Sequence, residues 1–266
     1  MKITIGITTY NRKKLLEKTA LSISKIKNIS TCNIRIYDDH SLEFDEKYLR
    51  NVFPTAKSIK VSETNLGPDG NTANMYRDFL SSGDDLLVNM DADLLCRPDI
   101  IGFIKKYIKQ TDGVLGLYNS FKHTSYKKVM IDNDHFVLKK DIGAAGVVFT
   151  KEILKSIIEH VDVTRKFDWD WSDYLVKNKK KIIVSKESYI QHIGGIEGAN
   201  CGGFKFDFAL NFVPLNETNS VILREYLSDM KRNLEKKRFL KWVRYQQKLM
   251  GDKPDTFFEL YLKRSK

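Results

Sequence analysis

Cysteine is scarce and scattered in this chain. There are three in 266 residues, Cys32, Cys96 and Cys201, an odd number with no metal-type spacing. That argues against a disulfide-stapled scaffold or a cysteine-held metal and fits reduced thiols in a cytoplasmic protein. No stretch approaches the ~20 continuous apolar residues of a membrane span. The N-terminus, MKITIGITTYNR, turns polar too early for a signal-peptide core. No internal repeat is present. Apolar residues make up 42% of the chain, which is enough for a globular core in one large domain with at most a modest appendage.

What is abundant is positive charge, and it is local. The net charge is +11, but residues 231–248 (KRNLEKKRFLKWVRYQQK) hold eight Lys or Arg against one acid, Glu235. That window therefore carries +7 of the total. A nucleic-acid cleft spread over the whole surface is not implied. Phe239, Trp242 and Tyr245 are interleaved with the basic residues, a pattern typical of a helix lying on anionic lipid. A solvated helix packing an apolar stripe on the main domain has the same composition.

The first half alternates strand and helix signals. Ile3, Ile5 and Ile7 open a strand that ends in Thr8-Thr9-Tyr10-Asn11-Arg12, and Leu16, Ala20 and Ile23 follow at helical spacing. Strands over 32–37 and 58–62, a turn-rich loop at 65–71, a helix over 72–80 and an apolar strand over 85–90 come next. This order predicts an α/β domain with a mostly parallel sheet flanked by helices. In such sheets ligands bind beyond the carboxyl ends of the strands. TTYNR, DDHS (38–41) and DAD (91–93) all fall at such ends. The second half is less regular, with strands over 114–118, 135–139, 147–150, 182–184 and 189–193. From about Ser220 the chain reads as a charged helical appendage. The expected division is 1–219, split near 95 into two halves, and 220–266.

Asp91-Ala92-Asp93 is the centre of the chemistry. Two carboxylates flanking a small residue at a strand end can hold Mg²⁺ or Mn²⁺, which favour oxygen ligands and keep positions open for phosphate. Such an ion would neutralise charge gathering on a diphosphate leaving group. FDWDWSD (167–173) supplies acids for proton transfer, with Asp168, Asp170 and Asp173 competing as the base. Trp169 and Trp171 are either a platform for a sugar ring or core.

Taken together, IGITTYNR, YDDHS, NLG and NMDADLL resemble, in order and spacing, the nucleotide-binding half of family-2-like glycosyltransferases with the GT-A (Rossmann-like) fold. The resemblance covers residues 1–95. It implies that Thr8, Tyr10, Asn11 and Arg12 line the nucleoside pocket, that Asp39 of the Asp38–Asp39 pair meets the base, and that Asn65 and Gly67 form the third contact loop. It also implies that Asp91, beside Ala92, approaches the ribose while Asp93 holds the metal. The late His192 matches a residue that completes the ion's coordination, and Gly143 to Gly146 matches a segment beside the donor sugar. Asp170 aligns best with the family's base and Asp173 with an orienting acid. Pro68-Asp69-Gly70-Asn71 departs from the family pattern, since an aspartate at 69 is a poor neighbour for phosphate. His40 replaces a common glycine.

The expected activity is a Mn²⁺- or Mg²⁺-dependent hexosyl or N-acetylhexosaminyl transfer from a nucleotide-sugar donor, UDP-linked, to a glycan or lipid-linked hydroxyl acceptor. Inversion follows from the resemblance alone. The expected location is cytoplasmic, at the inner membrane face. Three rivals stay open: a sugar nucleotidyltransferase, a non-catalytic docking protein and a DNA-modifying glycosyltransferase. TTYNR lacks the Gly-rich basic phosphate loop usual in the first. The absence of spread basic charge makes a nucleic-acid partner the least supported.

Overall fold

The computed structural model describes residues 1–120, 123, 125–195, 208–209 and 211–233. In chain order the strands are β1 (Ile3–Thr9), β2 (Cys32–Asp38), β3 (Ala56–Val61), β4 (Leu86–Asp91), β5 (Leu94–Cys96), β6 (Val114–Gly116), β7 (Ser125–Ile131), β8 (Asp134–Lys139), β9 (Val147–Thr150), β10 (Ile182–Ser185) and β11 (Ile190–His192). The helices are α1 (Lys13–Ile23), α2 (Glu46–Val52), α3 (Gly67–Leu80), α4 (Ile100–Tyr107), α5 (Lys151–His160), α6 (Phe167–Lys177) and α7 (Glu217–Asn233).

Among the described residues nine strands form one sheet in the order β3-β2-β1-β4-β9-β6-β10-β8-β7. The first four pair parallel, as the strand–helix alternation predicts. Beyond β4 the sheet turns mixed: β9 runs antiparallel to both β4 and β6, and β8 antiparallel to β10 and β7. Both faces of the sheet are covered, so β1 is buried almost throughout rather than alternating. On one face pack α1, α2, α4 and α7, through residues such as Leu16, Leu49, Ile104 and Leu223. On the other lie α3, α5 and α6, through Met75, Phe79, Leu154 and Trp171. Gly6 allows this closeness, because a Cβ there would overlap the Met75 side chain of α3.

Two departures from the sequence reading concern boundaries. Helix α3 begins at Gly67, earlier than the expected Thr72, with Pro68 in its first turn. More consequential is α7. The boundary expected at 219/220 would make it part of an appendage, yet Ile222, Leu223, Tyr226, Leu227 and Met230 are buried in the main core. Asn219 Nδ2 donates to the Cys96 carbonyl at 2.7 Å, joining α7 to β5. The basic window 231–248, apart from 231–233, lies outside the described residues. No described helix is long and apolar enough to cross a membrane.

Candidate active site

The carboxyl ends of β1, β2 and β4 lie side by side because the parallel register sets Thr8 opposite Asp91 and Thr9 opposite Asp38. At the β2 end, the buried Asp39 carboxylate accepts from the Leu66 N–H at 2.7 Å, and its own N–H donates to Thr9. Burial raises the Asp39 carboxyl, while the Leu66 and Gly67 amides pull it back. Asp38 is turned to the Ser41 hydroxyl and amide. The exposed Asn65 accepts from Gly67 N at 3.0 Å, bending the chain into α3, and Gly67 takes a left-handed φ of 76°.

The 8–12 segment divides its work. Thr8 Oγ1 donates to Asp91 Oδ1 at 3.1 Å. Tyr10 is exposed. Asn11 is a brace: its side-chain oxygen accepts from the Leu42 and Glu43 amides, and its own N–H donates to Ser41. Arg12 turns inward, and Nη1 lies 2.5 Å from Asp93 Oδ2. His40 is exposed, with Nδ1 3.2 Å from the Ser62 carbonyl, as a solvated loop histidine would be.

Asp93 is placed by β5. The Thr19 hydroxyl of α1 donates to the Ala92 carbonyl and accepts from Leu94 N, and Ser22 Oγ accepts from Cys96 N. Ala92 itself is buried. Strand β11 pairs antiparallel with β5, setting His192 opposite Leu94, and Ile193 N donates to the Asp93 carbonyl. His192 Nε2 thereby comes 3.4 Å from Asp93 Oδ2. Gly194 follows directly, where a Cβ would overlap the Asp93 carboxylate.

The two acids of the triplet titrate apart. Burial, and then the charge of Asp93, push Asp91 up to about 6. Burial works on Asp93 too, but His192 and Arg12 outweigh it and hold that carboxyl below its ordinary value. Asp93 is therefore the fixed anion of the site.

Asp93 Oδ1 and His192 Nδ1 are buried without a hydrogen-bond partner among the described residues. Among those residues no three His, Cys, Asp or Glu side chains converge as a cage for an ion. Mg²⁺ and Mn²⁺ are commonly held by one or two carboxylates, with water and substrate phosphate completing the shell. A buried carboxylate oxygen without a partner among the described residues, beside an imidazole, fits that pattern.

The acids of FDWDWSD separate on α6. Asp168 is half-buried near the position a Gly143 Cβ would take, which the His123 ring also approaches. Burial, followed by the charges of Asp69 and Asp91, pushes Asp168 up to about 6, although the Trp169 N–H pulls the other way. Asp170 instead accepts from the Thr164 hydroxyl at 2.5 Å, and Asp173 is exposed on the next turn. The charge of Asp91 thus acts on Asp168, while Asp170, expected as the base, is held by Thr164. Trp171 is core, edge-on to Phe149, while Trp169 is 43% exposed beside His123.

Two nearby residues, Tyr76 and His123, carried no signal in the sequence, and a third, Asp69, stood out there only as a departure from the family pattern. Asp69 lies near the Phe167 amide at the start of α6, which lowers its carboxyl against the larger effect of burial. Tyr76 is buried among Asp69, Asp91 and Asp168. His123 accepts from the Gly143 N–H at 3.1 Å, next to the small-residue segment.

Acids at the ends of parallel strands, facing a helix-borne carboxylate, define a GT-A type of transferase site. Residues 4–161, more than half of the chain, match the sequence profile of glycosyl transferase family 2, and the chain belongs to that family as a nucleotide-sugar glycosyltransferase. No curated protein matches the sequence. Among solved structures it is similar to S. aureus TarS 1-349, with a TM-score of 0.52 and 13% identity over 98% of this chain and 77% of that one. TarS 1-349 in complex with UDP-GlcNAc gives a TM-score of 0.56 and 14% identity over 98% and 76%. Against a longer TarS chain the TM-score is 0.53 at 14% identity, over 98% of this chain and 45% of that one. At these identities the likeness is one of fold.

Proposed function

We propose that this enzyme transfers a sugar from a UDP-linked donor to a hydroxyl acceptor by direct, inverting displacement, with Asp168 as the base. The observation that carries this reading is the place of Asp168, half-buried on α6 beside Gly143 and the His123 ring and within the electrostatic reach of Asp91 at the strand ends. Asp168 would take the acceptor's proton as that oxygen bonds to the anomeric carbon and the bond to the diphosphate breaks, releasing UDP. Trp169, exposed beside Asp168, offers its face to an acceptor sugar. Thr8 and Asp39 order the nucleoside end, and Asp91 lies towards the ribose. Asp93 and His192 would hold Mn²⁺ or Mg²⁺, which when bound neutralises the departing diphosphate. The UDP-GlcNAc complex of TarS makes an N-acetylhexosamine the first sugar to test. The basic 231–248 segment supports a lipid-linked or membrane-held acceptor.

The test is a panel of UDP-, GDP- and CMP-sugars, each with Mn²⁺ or with chelator, read by nucleotide release and by NMR of the product's anomeric centre. Metal-dependent UDP release with an inverted product is expected. Turnover unaffected by chelator, or a retained anomer, would overturn the corresponding part.

A further inference from the structure

The chain takes a strained route to place Arg12. Asn11 and Arg12 both adopt left-handed backbone, with φ of 51° and 57°, a conformation disfavoured for residues with a Cβ. Arg12 occupies the N-cap of α1 without a side-chain cap bond, so its backbone opens the helix while its guanidinium points away from it. That guanidinium meets Asp93 Oδ2 at 2.5 Å.

The two partners differ in freedom. The Asp93 side chain is 4% exposed and its backbone is pinned through Ile193, with Gly194 packed against the carboxylate. The Arg12 side chain is 28% exposed and is anchored only at its backbone end of a long, flexible stem. Two cations on one buried carboxylate repel strongly, and a divalent ion doubles that repulsion. The partner that can leave is Arg12.

We infer that Arg12 is the resident counter-cation of Asp93 and that a divalent ion binds there only by displacing it. The inference rests on the reading that Asp93 takes the ion. It gives the buried carboxylate a charge partner before the ion arrives, at the expense of the apparent metal affinity. Arg12 then sets that affinity without being a ligand.

Calorimetric titration of Mn²⁺ alone into the wild-type protein, Arg12→Gln and Asp93→Asn tests it. Arg12→Gln should bind at least about tenfold more tightly than wild type, since the competing charge is gone, and Asp93→Asn should not bind at this site. In a second measurement on the unaltered chain, the Arg12 guanidinium NMR signal is followed as Mg²⁺ is added. It should change from a held to a freely rotating group at saturation. Equal Mn²⁺ affinity in wild type and Arg12→Gln, or an Arg12 signal unchanged at saturating Mg²⁺, overturns the displacement and leaves the metal reading standing. Absence of binding in both wild type and Arg12→Gln overturns the metal reading, and the displacement with it. The NMR arm decides the matter if Arg12→Gln fails to fold.

Discussion

Asp168 is half-buried and Asp93 buried, and their surroundings push them in opposite directions. Asp168 has carboxylates for neighbours, and as a base it must be ionised, so kcat/KM should rise with pH through about 6 and level off above it. Asp168→Asn should cost on the order of 10²–10⁴ in kcat with donor affinity nearly unchanged. A larger loss in Asp170→Asn or Asp173→Asn would move the base along the helix. Linkage gives an independent check on Asp168. Its folded pKa lies above the ordinary value, so its contribution to stability is full at low pH and is lost as pH rises through about 6. Asp168→Asn should therefore raise Tm at pH 8 more than at pH 4. Asp93 has the Arg12 guanidinium for a neighbour instead, and Asp93→Asn should abolish metal-dependent UDP binding and turnover. Breaking a buried ion pair usually destabilises by about 3–5 kcal/mol, but Arg12 can turn to water, so a much smaller fall in Tm is expected. At this scale the places of Asp38 and Asp91 at strand ends were legible in the sequence. Which acid of 168, 170 and 173 faces the site was not, because one helical turn decides it.

Elements bring these residues together through contacts distant in sequence. His192 reaches Asp93 only because β11 pairs with β5, about a hundred residues apart, and β5 is in turn held by hydroxyls on α1. The sequence showed a strand over 189–193 but nothing of its partner, since short strands carry little pairing information. Gly194 tests the arrangement. A Cβ there would strike the Asp93 carboxylate, so Gly194→Ala should shift that group while leaving the sheet intact. Misplacement by about 1 Å can cost 10²-fold. A loss of that order in kcat, with an unchanged circular dichroism spectrum and weakened Mn²⁺ binding, is expected; near-normal activity would show that Asp93 has room to move. The parallel order of β1 to β4 was legible because each strand–helix repeat leaves a periodic trace. The antiparallel insertion of β9 was not, since short apolar strands such as β6 and β9 read alike in either direction.

The whole molecule closes on α7, and the net charge obscured this. The basic run after it marked the C-terminal region as an appendage, although Ile222, Leu223, Tyr226, Leu227 and Met230 already trace one helical face. Fully burying such a side chain is worth about 1.5–3 kcal/mol, so five approach the roughly 5–15 kcal/mol that holds a domain folded. Two truncations separate the parts. A chain ending at residue 216 loses these contacts and the Asn219 bond to Cys96, and should be unfolded or aggregated by circular dichroism. A chain ending at Asn233 keeps them and should melt within a few degrees of the full chain, still glycosylating a short soluble acceptor. The two folded chains then report on the membrane. Each Lys or Arg beside an anionic surface is worth about 1 kcal/mol, screened by salt. The full chain should therefore bind vesicles containing phosphatidylserine, release them steeply as ionic strength rises, and bind less well in Trp242→Ala. The chain ending at Asn233 should bind far more weakly at every salt concentration. Equal vesicle binding by the two, or none by the full chain at low salt, would remove residues 234–248 as a membrane contact and leave the acceptor to be sought in solution.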